Sequence, residues 1–264
     1  MSSAASGLSA KSLTIAYGSN VVVKDLDLAI RPRSFTALLG ANGCGKSSIL
    51  RSLGNIQQVR HGAVLLDGTP IGELPSKTVA RRIGFLAQGA PLMEGMSVIE
   101  LVRQGRYPHR AMFSRWNEAD TLAVEEALHL TGLMDLRDRH LATLSGGQRQ
   151  RAWVAMTLAQ QGSILLLDEP TTYLDLAHQI EVLELMRSLI RNQGRTVVAV
   201  LHDLNHAARY ADHLVLLRGG AIAGQGTPSD VLTPEMIGEV FGVSAVVISD
   251  PETGLPLCIP RRAQ

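Results

Sequence analysis

The strand-like run "SFTALLG" at Ser34–Gly40 opens without a break into "GANGCGKSS" at Gly40–Ser48, and a helical pattern begins at about Lys46. Gly40–Ser47 fits G-x-x-x-x-G-K-[ST], and the strand before it and helix after it are the context that turns a short pattern into a constraint on the fold. Gly43 and Gly45 let the backbone curl until successive N–H groups face one point, to which the helix N-terminus adds its positive end. Such a cradle holds phosphate. Lys46 neutralises the outer phosphates, and Ser47 offers a hydroxyl to the magnesium ion that accompanies them.

Around this loop strand and helix signals alternate, the pattern of an α/β domain with a mainly parallel central sheet. "SLTIAY", "DLDLAI" and "GAVLLDG" read as strands, "SKTVARR" as a short helix, and "IGFLAQ" as a strand ending at Gln88. From Gly89 to about Gln160 the spacing is helical throughout, which predicts a helical insert. The strands resume with "SILLLDEP" and "TVVAVLHD", separated by an amphipathic helix that Gly194 closes. "HLVLLRGGAIAGQG" is a predicted hairpin turning at Gly219 and Gly220, and "TPEMIGEVFG" a short helix with Pro234 near its first turn. A hydrophobic content of 45% over 264 residues is ample for a sizeable core.

Two further stretches carry chemistry. "ILLLDEP" brings Asp168 and Glu169 to the end of a buried strand, the edge at which ligands of open α/β sheets sit. Asp168 is suited to hold magnesium and Glu169 to polarise an attacking water. "LSGGQ" at Leu144–Gln148 contains S-x-x-Q, a capping box for the helix that follows. Capping accounts for Ser145 and Gln148 but not for Gly146 and Gly147, each of which costs the helix about 1 kcal/mol against alanine. Close approach of a ligand explains them.

With the phosphate loop and the Asp-Glu pair, "LSGGQ" resembles the signature of the ATP-binding cassette family, and the resemblance covers nearly the whole chain. It implies an α/β P-loop NTPase core from residues 1–88 and 161–230, with an N-terminal antiparallel β subdomain. It also implies a helical subdomain at 89–160 and a C-terminal extension at 231–264. ATP and Mg2+ are the implied cofactors, bound between two copies of the chain facing head to tail. Gly40, Asn42, Gly43, Cys44, Gly45, Lys46, Ser47 and Ser48 hold the ATP of one copy, while Leu144, Ser145, Gly146, Gly147 and Gln148 close on it from the other. The resemblance gives Tyr17 to adenine stacking, Ser47, Gln88 and Asp168 to magnesium, and Glu169, His202 and Gln88 to catalysis. Asp175, in "TTYLD", communicates across the dimer, and Tyr173 departs from the smaller or polar residue that many members carry. Cys44, inside the loop, reads as a small residue without a chemical role.

The finer likeness is to importer subunits for ferric siderophores, with cobalamin and haem importers as near relatives; "QGRYPHR", "DEPTTYLDLAHQIEVLELM" and "VLTPEMIGEVFGV" carry it. It implies membrane permease subunits and, indirectly, an extracytoplasmic substrate-binding protein as partners, and a peripheral place on the cytoplasmic face of the membrane. Arg106, Tyr107 and His109 are either an ordinary exposed loop or a surface that docks a permease helix.

Composition narrows the alternatives. With 25 Lys and Arg against 24 Asp and Glu and no basic stripe, no nucleic-acid partner is expected, which weighs against a soluble cassette protein of DNA or ribosomes. A P-loop GTPase would need an N-K-x-D motif, which the sequence lacks. "MSSAASGLSA" has neither part of a secretory signal, and the longest uncharged run, Ala152–Leu167, is too short to span a bilayer. Cys44 and Cys258 are expected as thiols.

Overall fold

Alternating burial builds the first hairpin: Leu8, Ala10, Leu13 and Ile15 of β1 (Leu8–Tyr17) turn inward while their neighbours face outward, and β2 (Asn20–Ala29) pairs antiparallel beside it. A computed structural model describes residues 7–89, 91, 93–111 and 114–261. Its contacts divide the chain into two units, Met1–Leu74 with Thr196–Gln264, and Pro75–Arg195.

In the first unit β3 (Phe35–Gly40) is buried at every residue, as a strand covered on both faces requires, and leads through the phosphate loop into α1 (Lys46–Leu53). β4 (His61–Leu66) and β5 (Thr69–Pro70) complete an antiparallel sheet of order β2-β1-β4-β5. This is the N-terminal antiparallel subdomain the sequence implied.

The second unit opens with α2 (Ser76–Arg82) and β6 (Ile83–Leu86). Three mutually packed helices follow, α3 (Val98–Gln104), α4 (Glu118–Leu130) and α5 (Gly146–Ala159). Each starts with a reciprocal capping box, Ser97 with Glu100, Asn117 with Asp120 and Ser145 with Gln148. Among the described residues of this stretch the only β pairing is an isolated bridge between Ser97 and His140. β7 (Ile164–Asp168) then runs parallel to β6, and α6 (Leu176–Gln193) ends at Gly194 in the left-handed conformation.

The chain returns to the first unit with β8 (Thr196–Val200), α7 (Leu204–Tyr210), β9 (His213–Arg218) and β10 (Ala221–Gly226). β8 and β9 flank β3, both parallel to it, and β10 folds back antiparallel through Gly219 and Gly220 at φ 54° and 81°. After α8 (Pro228–Val231) and α9 (Pro234–Phe241), β11 (Ala245–Ser249) and β12 (Pro256–Pro260) form a hairpin with five paired positions, from Ala245 with Pro260 to Ser249 with Pro256. That hairpin was not foreseen: prolines bound both ends of β12, and proline removes ladder donors.

Candidate active site

β3 delivers the phosphate loop, and the loop's glycines are dictated by what surrounds them. A Cβ on Gly40 would lie 2.3 Å from the Leu217 carbonyl oxygen and 2.8 Å from the Cys44 sulfur; one on Gly45 would lie 2.8 Å from the Val23 side chain. Gly45, at φ 101°, is the N-cap of α1 and has no side chain with which to cap it, so the helix presents its first turn to an outside anion. Lys46 is buried, and its ammonium donates to the carbonyls of Gly40 at 2.8 Å and Ala41 at 3.0 Å. Carbonyl dipoles cannot neutralise a buried cation, and a phosphate can. Cys44 is buried beside this ammonium, its sulfur 4.0 Å away, as befits a small loop-packing residue. Asn42 and Gly43 are exposed at the mouth of the loop.

Tyr17 ends β1 with half its surface exposed, and its hydroxyl donates to Gln57 Oε1 at 2.6 Å and meets Ser48 Oγ at 3.1 Å. Those bonds fix the ring beside the first turn of α1 and leave it free to stack on a base. His202 is exposed just past the end of β8, between Leu201, whose N–H donates to the Leu38 carbonyl, and Asp203, which caps α7 through the His206 N–H at 2.7 Å.

In the second unit Asp168 ends β7 fully buried. Glu169 follows in the left-handed region at φ 53°, and its Oε2 accepts from Thr172 Oγ1 at 3.1 Å. Tyr173 is also left-handed, at φ 65°, and largely exposed. Each non-glycine residue in that region costs about 1–2 kcal/mol, and such strain gathers where side chains are aimed for function. Asp175 caps α6, and hydrogen bonds from the backbone and then the ring of His178 hold its carboxyl below the usual aspartate range. Gln88 is exposed just beyond β6.

The capping box at "LSGGQ" forms as read: the Gln148 N–H donates to Ser145 Oγ at 3.2 Å, and the Ser145 N–H donates to Gln148 Oε1 at 3.1 Å. Leu144 is buried beneath it. Around the signature glycines there is room. A Cβ on Gly146 would come no closer than 4.0 Å to the Tyr173 carbonyl, and one on Gly147 would lie 3.3 Å from the flexible end of Leu174.

Two features escaped the sequence reading. Gln150 is buried, and its Nε2 donates to the Pro170 carbonyl at 3.3 Å, tying α5 to the turn that follows Glu169. Arg106 is also buried, so it is not a docking residue. It pairs with Asp120 at 3.0 Å and donates to the Ala159 carbonyl at 2.8 Å and to Gln161 Oε1 at 2.9 Å, while His109 Nε2 meets the Gln160 carbonyl at 2.8 Å. Of the three residues read as a possible docking surface, Tyr107 alone stands well out, at 71% exposure, with the Lys77 ammonium 5.4 Å from its ring centroid.

A family model described as ABC transporter matches residues 23–172, a span that runs from β2 through the phosphate loop and the signature to the turn after Glu169. The chain belongs to the ABC transporter family. The ferric enterobactin transport ATP-binding protein FepC of Escherichia coli (strain K12) is 49% identical over 260 residues, covering 98% of this chain and 96% of that protein. The iron(3+)-hydroxamate import ATP-binding protein FhuC of Bacillus subtilis (strain 168) is 44% identical over 252 residues, covering 96% and 94%. Among solved structures, the dimeric ATP-binding cassette MJ0796, in a post-hydrolysis state bound to ADP and Pi, superposes with a TM-score of 0.73 at 26% identity, covering 83% of this chain and 98% of that one. The chain is thus an ABC ATPase. None of the helices among its described residues is long and apolar enough to cross a membrane.

Proposed function

We propose that this ABC ATPase powers import of a ferric siderophore through a membrane permease, hydrolysing ATP held between two copies of the chain. The observation that carries the cargo is the near full-length identity, 49% over 98% of the chain, to a ferric enterobactin transport ATP-binding protein. The α/β core, the helical subdomain at 89–160 and the extension at 231–264 act as one cassette, which works from the cytoplasmic face of the membrane on permease subunits fed by an extracytoplasmic binding protein.

The α1 N-terminus and the Lys46 ammonium bind the phosphates of ATP, with Gly40, Asn42, Gly43, Cys44, Gly45, Ser47 and Ser48 forming the rest of the cradle, and Tyr17 stacks on the base. Ser47, Gln88 and Asp168 are hard oxygen donors suited to Mg2+, and a carboxylate as buried as Asp168 calls for a cation or donors around it. Magnesium supplies charge neutralisation at the phosphate oxygens. Glu169 takes a proton as the water oxygen bonds to the γ-phosphorus and the bond to the departing ADP oxygen breaks. His202 orients that water against the γ-phosphate. Ser145 and Gly147 of the second copy contact the same phosphate, Leu144, Gly146 and Gln148 shape that contact, and Asp175 senses closure from across the dimer. Tyr107 stands where a permease helix can meet the helical subdomain.

The test is to purify tagged Glu169→Gln protein from detergent-solubilised membranes of its own cells and identify what accompanies it. A multi-span permease is expected, with uptake of labelled ferric siderophore lost when the chain is deleted. Recovery of only soluble partners or nucleic acid would overturn the transport reading and leave the ATPase standing.

A further inference from the structure

The segment after α9 takes no part in the chemistry above, yet it is joined to the element that follows His202. Asn205, the second residue of α7, uses its side-chain amide as a strand would use its backbone: Nδ2 donates to the Cys258 carbonyl at 3.2 Å, and the Cys258 N–H donates to Asn205 Oδ1 at 2.7 Å. The two bonds extend the β11–β12 ladder onto the helix. Cys258 itself is buried, and burial, followed by the nearby Asp203 carboxylate, pushes its thiol above the ordinary cysteine range. Asp203 is the cap of α7 and the immediate neighbour of His202, so the hairpin lies against the first turn of the helix that directly follows His202. A second tie, Arg209 to Glu252 at 3.5 Å, is exposed and adds little.

The helix needs this hold. Its span, Leu204–Tyr210, is far shorter than the roughly 12–15 residues at which an isolated helix becomes even marginal, and two of its buried residues, Ala207 and Ala208, offer little apolar area. On its other side, the Leu201 N–H next to His202 donates to the Leu38 carbonyl of β3, and Asp212, just past the helix, accepts from the Phe35 N–H at 2.8 Å. An asparagine in a first helical turn ordinarily competes for the helix's own backbone; here both its amide atoms are committed to the hairpin.

We propose that the C-terminal hairpin is a brace for the segment that carries His202, and that Asn205 is the positioning residue through which it sets the placement of His202. The inference rests on the proposed contact of His202 with the γ-phosphate. With its amide committed to Cys258, Asn205 acts through α7.

The test is a double-mutant cycle in the full-length protein: wild type, Asn205→Ala, His202→Ala and the double variant, each assayed for steady-state ATP hydrolysis and for ATP affinity. Asn205→Ala should lower kcat on the order of tenfold while KM and ATP affinity stay within about twofold, because misplacing a catalytic group costs rate rather than ground-state binding. In the His202→Ala background it should cost nothing further. Losses that multiply, a rise in KM matching the fall in kcat, or an unchanged Asn205→Ala enzyme would each overturn the brace. Full turnover in His202→Ala would remove the role of His202 itself, and the brace with it. A drop in His202→Ala alongside a normal Asn205→Ala would remove the brace alone. Should Asn205→Ala not fold, Asn205→Asp, which keeps the acceptor for the Cys258 N–H and loses the donor, enters the same cycle with the same expected pattern.

Discussion

The chain begins two helices with glycine-rich turns, and the two turns use glycine for opposite reasons. At the start of α1 the glycines are demanded from inside: side chains on Gly40 or Gly45 would collide with Leu217, Cys44 or Val23. Gly45 cannot cap, Lys46 is buried, and the helix end is open to an anion. At the start of α5 the cap is complete, with Ser145 and Gln148 satisfying each other, and the chain's own atoms leave room for methyl groups on Gly146 and nearly so on Gly147. A fold that tolerates a larger residue but carries two helix-weakening glycines points to a constraint from outside it. In the proposed reading the first turn grips phosphate with its own surroundings, and the second is half of a contact whose other half comes with a second molecule.

The largest effect expected is at the first turn. Lys46→Ala should weaken ATP binding by at least about 100-fold, as loss of a charge-assisted phosphate contact of roughly 3 kcal/mol predicts, read by titration calorimetry. Unchanged affinity would take the phosphate loop out of the site. The second turn should respond differently. Gly146→Ala should leave ATP affinity of the monomer within about twofold and raise the melting temperature, since alanine gains up to about 1 kcal/mol in a helix, yet lower turnover on the order of 100-fold. A destabilised or fully active variant would erase the contrast between the two turns. The far end of α5 is held by a buried pair, so Arg106→Ala, which strands Asp120 in the interior, should lower unfolding free energy by about 3–5 kcal/mol in a denaturant titration. Loss below about 1 kcal/mol would return Arg106 to the surface role first read for it. The smallest effect concerns the unit that contains α1. Burial, and then the charge of Arg31, hold buried His213 below the ordinary histidine pKa, so it is neutral in the folded chain and takes up a proton more readily when unfolded. Its contribution is present above the ordinary histidine pKa and is lost as pH falls through the lower folded value. The melting temperature should therefore drop between about pH 7 and about pH 5, and His213→Asn should flatten that slope.

What could be read from the sequence follows from how local the physics is. The phosphate loop, the cap at Ser145, the buried strand before Asp168 and the glycine that closes α6 are decided within a few residues, and the structure shows each of them. Arg106 was misread because its burial depends on Asp120 and on the end of α5, more than fifty positions away, as its bond to Ala159 shows. The Asn205 grip on Cys258 spans the same distance in sequence, with no periodic signal at either end. The left-handed backbone at Glu169 and Tyr173 was also illegible, since neither residue type favours it and only the surrounding turn imposes it. The paired glycines of "LSGGQ" were visible as an anomaly, and the room the chain's own atoms leave around them is what the proposed intermolecular contact rests on.

If each ATP is completed by a second copy of the chain, Glu169→Gln protein, which binds ATP without turning it over, should reveal the pair in a sedimentation experiment. A dimer should form with ATP, dissolve when ATP is removed, and fail to form when Ser145→Arg is added to the same chain. A Glu169→Gln protein that stays monomeric at saturating ATP, or one that dimerises equally well with Ser145→Arg, would contradict it.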